Sequence, residues 1–412
     1  MLQSKLSQIN KLERYILSLH QYKKALLGLL AVISIFMLTA CSVIGELKTD
    51  LSDRVFGRES ADAPEPLIEI KETYASKLLW QANVSAAEDY EFSPVVEAGF
   101  AYAAGANGEV VKFDVTNGSL VWRINAGEMI SGGVGVGGSL VMVGTQKGIV
   151  YAYDIGGKLQ WKSKLSSEIL SAPKYFDGVV IVRTGDSRIY GINANDGSRK
   201  WIYDRTSPAL TLRSSAGVVV DGGAVYAGFG GGKLVSVRAD NGKMLWEASV
   251  AQPKGVTEIE RIADITSLPV VDGPLIYAVA YQGRIAAVDR ATGRVVWNRE
   301  ISSLAGLSAE DGRVFVTHAA GSVYALDYTT GKTFWRQAGL KNRQLTAPVP
   351  MGSLTAVGDL EGYVHFLSRD DGALASRIKI NDSAVMPQMA LINSNTVLAQ
   401  TRDGGIFAIQ VK

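Results

Sequence analysis

The sequence predicts an all-β protein, an eight-bladed β-propeller with four antiparallel strands in each blade. One observation is a motif that recurs eight times at intervals of about 42 residues, the length of one propeller blade. A second is the composition, because 44 glycines among 412 residues supply many turns, while only 11 prolines leave room for strands. A third is that apolar residues make up 47% of the chain and charged residues 20%, as in a globular protein.

The repeated motif is clearest between Gly321 and Trp335, where Asp327 and Gly331 lie between two apolar runs. An aspartate can accept hydrogen bonds from its own turn, and a glycine tolerates a positive φ, so the pair predicts a hairpin turn. Two more short apolar runs precede the motif and complete a set of four strands. The other copies begin at Gly108, Gly148, Ser187, Gly232, Gly283, Gly362 and Gly404.

The two ends of the chain predict how the ring of blades closes. Residues 73–412 are as many as eight blades of about 42 residues require. The last copy of the motif ends at Lys412 before any tryptophan, whereas Trp80 precedes the first copy and follows two leucines. We therefore expect the N-terminal strand around Trp80 to complete the eighth blade, since closure removes the open sheet edges.

The Asp-x-x-x-Gly-x-x-x-Trp spacing resembles the tryptophan-docking motif of quinoprotein-type propellers, in which each indole is wedged between neighbouring blades. The resemblance implies a structural docking role rather than a catalytic one for the tryptophans of this chain. These are Trp80, Trp122, Trp161, Trp201, Trp246, Trp297 and Trp335. A repeat of this kind is informative about the fold and says little about activity.

The first forty residues have the pattern of an export signal. Lys23 and Lys24 precede the apolar run 25–38, and small residues follow up to Cys41. The stretch 38–41, Leu-Thr-Ala-Cys, resembles the lipobox of bacterial lipoproteins, in which the signal peptidase cleaves before the cysteine and the cysteine is lipidated. We predict a signal peptide at 1–40, with lipidated Cys41 and a flexible tether at 41–72.

An uncleaved membrane anchor is the alternative for this region, because residues 25–45 carry no charge and are long enough to span a bilayer. In either case the positive flank stays inside, so the rest of the chain lies outside the cytoplasm. The serine that follows Cys41 resembles lipoproteins that are sent to the outer membrane. We therefore expect a lipid-anchored protein of the outer membrane that faces the periplasm.

Charge and composition exclude several classes of function. The net charge is +2, and the signal region holds an excess of lysine and arginine, so the remainder is near neutral and lacks the basic stripe of a nucleic-acid binder. The single cysteine excludes a disulfide framework, and three histidines leave little room for a metal site. We predict no catalytic residues, no metal and no cofactor.

Three functions remain open for such a propeller: a quinone-dependent dehydrogenase, a periplasmic quinone- or sugar-binding propeller, and a protein-interaction scaffold. The adjacent cysteines of many quinone-dependent dehydrogenases do not occur in this chain. Two neighbouring blade connections, Trp201 to Gly232 and Trp246 to Gly283, are longer than the others. Insertions in a repeat often lie on the binding face, which favours the scaffold, although Leu210 and Leu212 packed inward would be the simpler alternative.

The export signal, the tether and the eight docking-type repeats together resemble the BamB family, the lipoproteins of the outer-membrane β-barrel assembly (BAM) machinery. The stretches 210–213, Leu-Thr-Leu-Arg, and 258–264, Glu-Ile-Glu-Arg-Ile-Ala-Asp, are similar to that family's stretches in the same blades. The resemblance implies a non-catalytic scaffold that binds the POTRA domains of BamA and assists unfolded outer-membrane proteins. The implied contact residues are Leu210, Leu212, Arg213 and Asp264, and Thr266 stands at the family's second acidic position.

Overall fold

A computed structural model describes residues 63–206 and 208–412, and this part of the chain contains 32 β-strands and no α-helix. No helix within the described residues is long and apolar enough to cross a membrane. Residues 1–62, which include the predicted signal peptide, Cys41 and most of the predicted tether, lie outside the described residues.

The strands form eight four-stranded antiparallel sheets, which are the blades of a propeller. Each of the first seven blades uses four consecutive strands, and the first strand of each is the innermost. Blade 1 contains β2 (Val95–Glu97), β3 (Phe100–Ala104), β4 (Glu109–Asp114) and β5 (Leu120–Asn125), and blade 2 contains β6 (Ile130–Gly137), β7 (Leu140–Thr145), β8 (Ile149–Asp154) and β9 (Leu159–Lys164). Blade 3 contains β10 (Lys174–Phe176), β11 (Val179–Arg183), β12 (Ile189–Asn193) and β13 (Arg199–Tyr203). Blade 4 contains β14 (Val219–Asp221), β15 (Ala224–Phe229), β16 (Lys233–Arg238) and β17 (Met244–Ser249).

Blade 5 contains β18 (Val270–Asp272), β19 (Leu275–Val279), β20 (Ile285–Asp289) and β21 (Val295–Arg299), and blade 6 contains β22 (Gly306–Glu310), β23 (Arg313–Thr317), β24 (Val323–Asp327) and β25 (Thr333–Gln337). Blade 7 contains β26 (Val349–Met351), β27 (Leu354–Gly358), β28 (Tyr363–Ser368) and β29 (Leu374–Lys379). Blade 8 contains β30 (Ala390–Asn393), β31 (Thr396–Gln400) and β32 (Gly405–Val411) together with β1 (Ser76–Asn83). The predicted fold class is confirmed.

The N-terminal strand closes the ring, as the sequence predicts. Strand β1 pairs antiparallel with β32, with Ser76 opposite Val411 and Asn83 opposite Gly405. Blade 8 is therefore built from both ends of the described part of the chain, and its outermost strand is the first strand of residues 63–412. Residues that are far apart in sequence hold the ring together at this blade. The ring would therefore open at this blade if β1 separated from β32.

Seven of the eight blade junctions contain a tryptophan whose indole Nε1 donates a hydrogen bond to a backbone carbonyl of the next blade. Trp297, for example, donates to the carbonyl of Tyr328 at 2.9 Å. Gly331 lies against the Trp297 ring at a φ of 66°, and a Cβ there would come within 2.6 Å of that ring. The other six donors and carbonyls are Trp80 and Val115, Trp122 and Ile155, Trp161 and Ala194, Trp201 and Ala239, Trp246 and Arg290, and Trp335 and Arg369.

The junction between blades 7 and 8 has a serine in place of the tryptophan. Ser376 is buried, and its Oγ lies 3.0 Å from the Oγ of Ser76 in the neighbouring blade. The segment before β1 runs beside this junction, since the amide of Thr73 donates to the carbonyl of Ala375 at 2.9 Å. The N-terminal segment thus contacts the blade edge at the junction that lacks an indole.

Each of the eight outer strands carries a β-bulge immediately before the docking position. In β17, Trp246 pairs with Ser236 and Met244 pairs with Val237, which leaves Leu245 as the extra residue. The same shift occurs in the outer strands β1, β5, β9, β13, β21, β25 and β29. A bulge interrupts the regular edge that another strand would need for pairing, so these blades are protected against edge-to-edge aggregation.

A buried charged cluster in blade 7 attaches the segment before β1. The Arg343 Nε donates to Asp359 at 2.7 Å, and its Nη1 donates to the carbonyl of Glu65 at 2.8 Å. Arg343 also pairs with Glu361, and the His365 Nε2 lies 2.9 Å from Asp359. Burial lowers the pKa of His365 despite the neighbouring carboxylate, which favours a neutral ring and leaves Arg343 as the partner that balances Asp359.

Candidate partner-binding site

The two long connections lie on the same face of the propeller. In an antiparallel blade the connections from strand four to the next blade share one face with the turns between strands two and three, because successive strands alternate in direction. We call this the blade-joining face. The first loop, residues 208–216, joins blades 3 and 4, and the second loop, residues 252–264, joins blades 4 and 5.

Asp264 fastens the two loops together. Its side chain is only 4% exposed. One carboxylate oxygen accepts a hydrogen bond from the amide of Leu212 at 2.7 Å, and the other accepts from the amide of Gly231 at 2.9 Å. The Ser214 hydroxyl donates to the carbonyl of Thr266 at 3.0 Å and adds a second tie between the loops. Asp264 therefore positions the first loop and does not present its charge to a partner.

Arg213 presents a guanidinium group at the rim of the face. About half of its side chain is exposed, and it forms a two-pronged ion pair with Glu168, in which Nε and Nη2 lie 3.2 Å and 3.0 Å from the carboxylate oxygens. The guanidinium also lies 5.5 Å from the centre of the Tyr90 ring. The hydrogen bonds to Glu168 raise the pKa of Arg213, so the cation is permanent and its orientation is held from one side.

The apolar residues of the loops differ in orientation. Leu210 is 43% exposed, whereas Leu212 is half-buried and lines a cavity of 300 Å³ between blades 3 and 4. In the second loop, Val256 is 96% exposed and Ile259 is 67% exposed. Leu210 therefore does not pack inward, and the second loop contributes apolar surface that the sequence reasoning did not single out.

The structure brings three of the four predicted residues into one cluster. Leu212, Arg213 and Asp264 line the same 300 Å³ cavity. Leu210 lies in the same loop and points outward. Glu168, which orients Arg213, comes from the connection between blades 2 and 3, forty-five positions earlier in the chain. Nothing in the local sequence signals this contact.

Replacing Asp264 with alanine is expected to loosen both loops without unfolding the propeller. The substitution leaves the amides of Leu212 and Gly231 without their acceptor, and each lost hydrogen bond to a carboxylate costs about 1–3 kcal/mol. Hydrogen exchange should accelerate at these two amides, with a measurable fall in the free energy of unfolding. Asp240→Ala, an exposed carboxylate paired only with Arg238, is the control and should change stability by less than about 0.5 kcal/mol. Unchanged exchange in Asp264→Ala would show that the carboxylate does not hold the loops.

No group of three histidine, cysteine, aspartate or glutamate side chains within residues 63–206 and 208–412 is placed to hold a metal ion. The carboxylates of the site are occupied by an arginine and by backbone amides. The geometry is that of a surface that offers shaped apolar contacts and one oriented cation, which suits recognition of another protein.

Comparison with known proteins gives the chain its family. The sequence model of the family described as outer membrane protein assembly factor BamB matches residues 106–337 and 319–412. The BamB of Burkholderia pseudomallei is 39% identical over 354 residues, which cover 86% of this chain and 93% of that protein. The crystal structure of BamB from Moraxella catarrhalis has a TM-score of 0.75 at 30% identity and covers 82% of this chain and 100% of that one.

A quinohemoprotein alcohol dehydrogenase from Comamonas testosteroni shares the propeller, with a TM-score of 0.66 over 86% of this chain and 81% of that one. Its identity is only 14%, so this likeness concerns the fold alone. The relatives with substantial identity are named assembly factors and not enzymes, which supports the prediction of a non-catalytic protein. On the match of the family model and the identity to these relatives, the chain belongs to the BamB family of outer membrane protein assembly factors.

Proposed function

We propose that this protein is a non-catalytic scaffold lipoprotein of the BAM complex, which binds the POTRA domains of BamA and assists the folding and insertion of outer-membrane proteins. The name of its relatives, outer membrane protein assembly factor, supports the assembly role. The lipobox at Cys41 supports an anchor in the outer membrane with the propeller in the periplasm. Residue 41 lies outside the described part of the chain, so the anchor rests on sequence.

The observation that carries the partner contact is the fixed, exposed pair Leu210 and Arg213 on the blade-joining face. An arginine beside exposed apolar side chains is the usual composition of an energetic hot spot. Asp264 and Glu168 hold this pair in place before any partner binds, which lowers the entropic cost of association. The role of Asp264 in this proposal is to position Leu212 and the first loop, and it makes no direct contact with BamA.

The tether is compatible with this arrangement. The amide of Glu65 donates to the carbonyl of Lys341 at 3.2 Å, in the connection between blades 6 and 7. This connection also belongs to the blade-joining face, so the chain leading back toward Cys41 leaves the propeller from the face that carries the loops. The described chain therefore meets the blade-joining face at Glu65.

Contacts with unfolded clients would occur at the outer edges of the blades. The bulge before each docking position leaves only a short regular stretch for pairing with an added strand, such as the residues from Trp122 to Asn125. Exposed apolar side chains occupy the bulges, among them Val121, Leu245 and Phe334, and Leu120 lies beside one of them. We expect covering of apolar client segments to contribute more than extended backbone pairing.

Arg213→Glu tests the partner contact. We expect the variant to retain little or no BamA in an affinity pull-down from detergent-solubilised envelopes, with a loss of more than about 2 kcal/mol in binding, because the hot-spot cation is replaced by an anion. The melting temperature of the propeller should stay close to that of the wild type, since Arg213 is half exposed. Arg238→Glu, on the opposite face, is the matched control and should retain BamA.

A double variant with the two charges exchanged distinguishes a direct contact of Arg213 with BamA from an effect of Arg213 on the order of its loop. Arg213→Glu combined with Glu168→Arg restores an ion pair in the reversed sense and keeps the loop attached to its neighbour. If the double variant also fails to retain BamA, Arg213 contacts the partner itself. Retention by Arg213→Glu alone would overturn the assignment of this surface. Mass spectrometry of the same preparation would show acylation on Cys41, and an unmodified Cys41 in an intact envelope protein would contradict the anchor.

A further inference from the structure

The propeller encloses a cavity of 630 Å³ at the centre of its blade-joining face. Residues from all eight blades line it, mostly from the segments that precede the innermost strands. The volume lies within the range of small-molecule sites, about 300–1,000 Å³. The partner-binding loops lie beside this cavity, and the proposed contact with BamA does not use its interior.

Lys174 is the unusual residue of the cavity wall. It is the first residue of β10, the innermost strand of blade 3, and pairs with Ile181 of β11. The equivalent positions in other blades hold valine, namely Val95, Val219, Val270 and Val349, each opposite the corresponding residue of the second strand. Blade 3 therefore places an ammonium group where four other blades place a valine, and where blade 6 has Ser308 and blade 2 has Gly135.

The Lys174 ammonium has no hydrogen-bond or ion-pair partner among residues 63–206 and 208–412. Burial alone lowers its pKa, with no neighbouring charge contributing to the shift. Lys174 is half-buried and lines the cavity, so its ammonium is available to an anion there unless a carboxylate lies beside it. Here the carboxylate is missing from the described surroundings.

Apolar side chains form much of the rest of the cavity wall. Leu170, Leu345, Val385 and Met386 are buried side chains that face it from blades 3, 7 and 8. The Oγ1 of Thr266 and the Oγ of Ser267 are buried in the wall and make no hydrogen bond to a described residue.

The two charged groups at the rim already have partners. Glu91 accepts a hydrogen bond from Ser215. Arg402 donates to the carbonyl of Glu88 at 2.9 Å. Neither group is placed as a counter-ion for Lys174, so the cation of the wall is left for a ligand.

We propose that the central cavity binds a small amphipathic anion, with its carboxylate or phosphate on Lys174 and its apolar body against the aliphatic wall. The unpaired ammonium selects the charge, and the cavity volume limits the size of the ligand. A lipid-derived fatty acid or a lipid phosphate has this chemistry.

Titration of the purified full-length propeller with decanoate, followed by calorimetry, tests the proposal. We expect saturable binding of one decanoate per chain, and a loss of at least about tenfold in affinity for Lys174→Met, since a charge-assisted hydrogen bond is worth about 1.5–3 kcal/mol. Lys174→Arg should retain most of the affinity. Lys243→Met is the matched control, because it removes an exposed lysine on the opposite face and should bind as the wild type does.

Two further ligands distinguish the contribution of the charged group to binding from that of the apolar body. Decanol should bind at least about tenfold more weakly than decanoate, and inorganic phosphate at millimolar concentration should compete only weakly, because each lacks one half of the recognised chemistry. Equal affinity of wild type and Lys174→Met for decanoate, or no binding of decanoate at all, would overturn the proposal. In the absence of ligand, Lys174→Met should melt no lower than the wild type, since the ammonium it removes makes no ion pair in the described part of the chain, which shows that any loss of binding is not a loss of fold.

Discussion

Deleting residues 73–85 is expected to open the ring and to prevent stable folding at physiological temperature. The deletion removes β1, leaves β32 as an unpaired edge, and takes Trp80 out of the junction between blades 8 and 1. Loss of a buried tryptophan alone costs about 3–5 kcal/mol. The loss of a whole strand adds to this, and the total approaches the stability of about 5–15 kcal/mol that a typical domain has.

Thermal unfolding followed by circular dichroism measures this effect. Deletion of residues 43–62, which precede the described part of the chain, is the control for shortening the N-terminus and should leave the melting temperature unchanged. Trp80→Ala should fall between the two, because it removes the indole and keeps the strand. An unchanged melting temperature after deletion of residues 73–85 would show that β1 does not close the ring in solution.

Replacing Arg343 with methionine is expected to destabilise blade 7 by about 3–5 kcal/mol, because it removes one partner from a buried charged cluster. Asp359 is fully buried, and in the variant only His365 and two backbone amides remain beside it. The segment before β1 also loses an attachment, since Arg343 donates to the carbonyl of Glu65. Chemical denaturation should show this change as a lower midpoint.

Arg238→Met is the matched control for this substitution. Arg238 pairs with Asp240 at 2.8 Å, but both side chains are more than half exposed, and such surface pairs contribute at most about 1 kcal/mol. A double replacement, Arg343→Met with Asp359→Leu, removes both buried charges and should recover part of the lost stability. If Arg343→Met is no less stable than Arg238→Met, the buried cluster does not contribute as the geometry indicates.

The blades were predictable from the sequence because the residues of each motif make the same contact between neighbouring blades, and the motif recurs at a fixed spacing. The indole of Trp297 needs a residue without a Cβ beneath it, and Gly331 meets that need in the next copy of the motif. The closing strand was predictable because Trp80 precedes the first copy of the motif, while the eighth copy lacks a tryptophan. The sequence shows that Ser376 replaces a tryptophan in the seventh copy, but the contact of Ser376 with Ser76 was not predictable, since it depends on the fold bringing two distant segments together.

The candidate site was predictable in part. The length of the two loops and the resemblance of their residues pointed to this surface, but the burial of Asp264 depends on amides that lie 52 and 33 positions away. Lys174 was visible in the sequence, because aligning the repeats would place it against valines. The sequence pattern did not single out Lys174, because the innermost strands are only three residues long in most blades and show little periodicity.

The most direct test of the account is site-specific photocross-linking in intact envelopes, with the cross-linking residue placed at Leu210 or at Ile155. Both positions are exposed, at 43% and 51%, and they lie on opposite faces of the propeller. If the blade-joining face carries the partner surface, a cross-linked product with BamA forms from position 210 and not from position 155. A BamA product from position 155 alone, or from neither position while both proteins are present, would contradict the central claim.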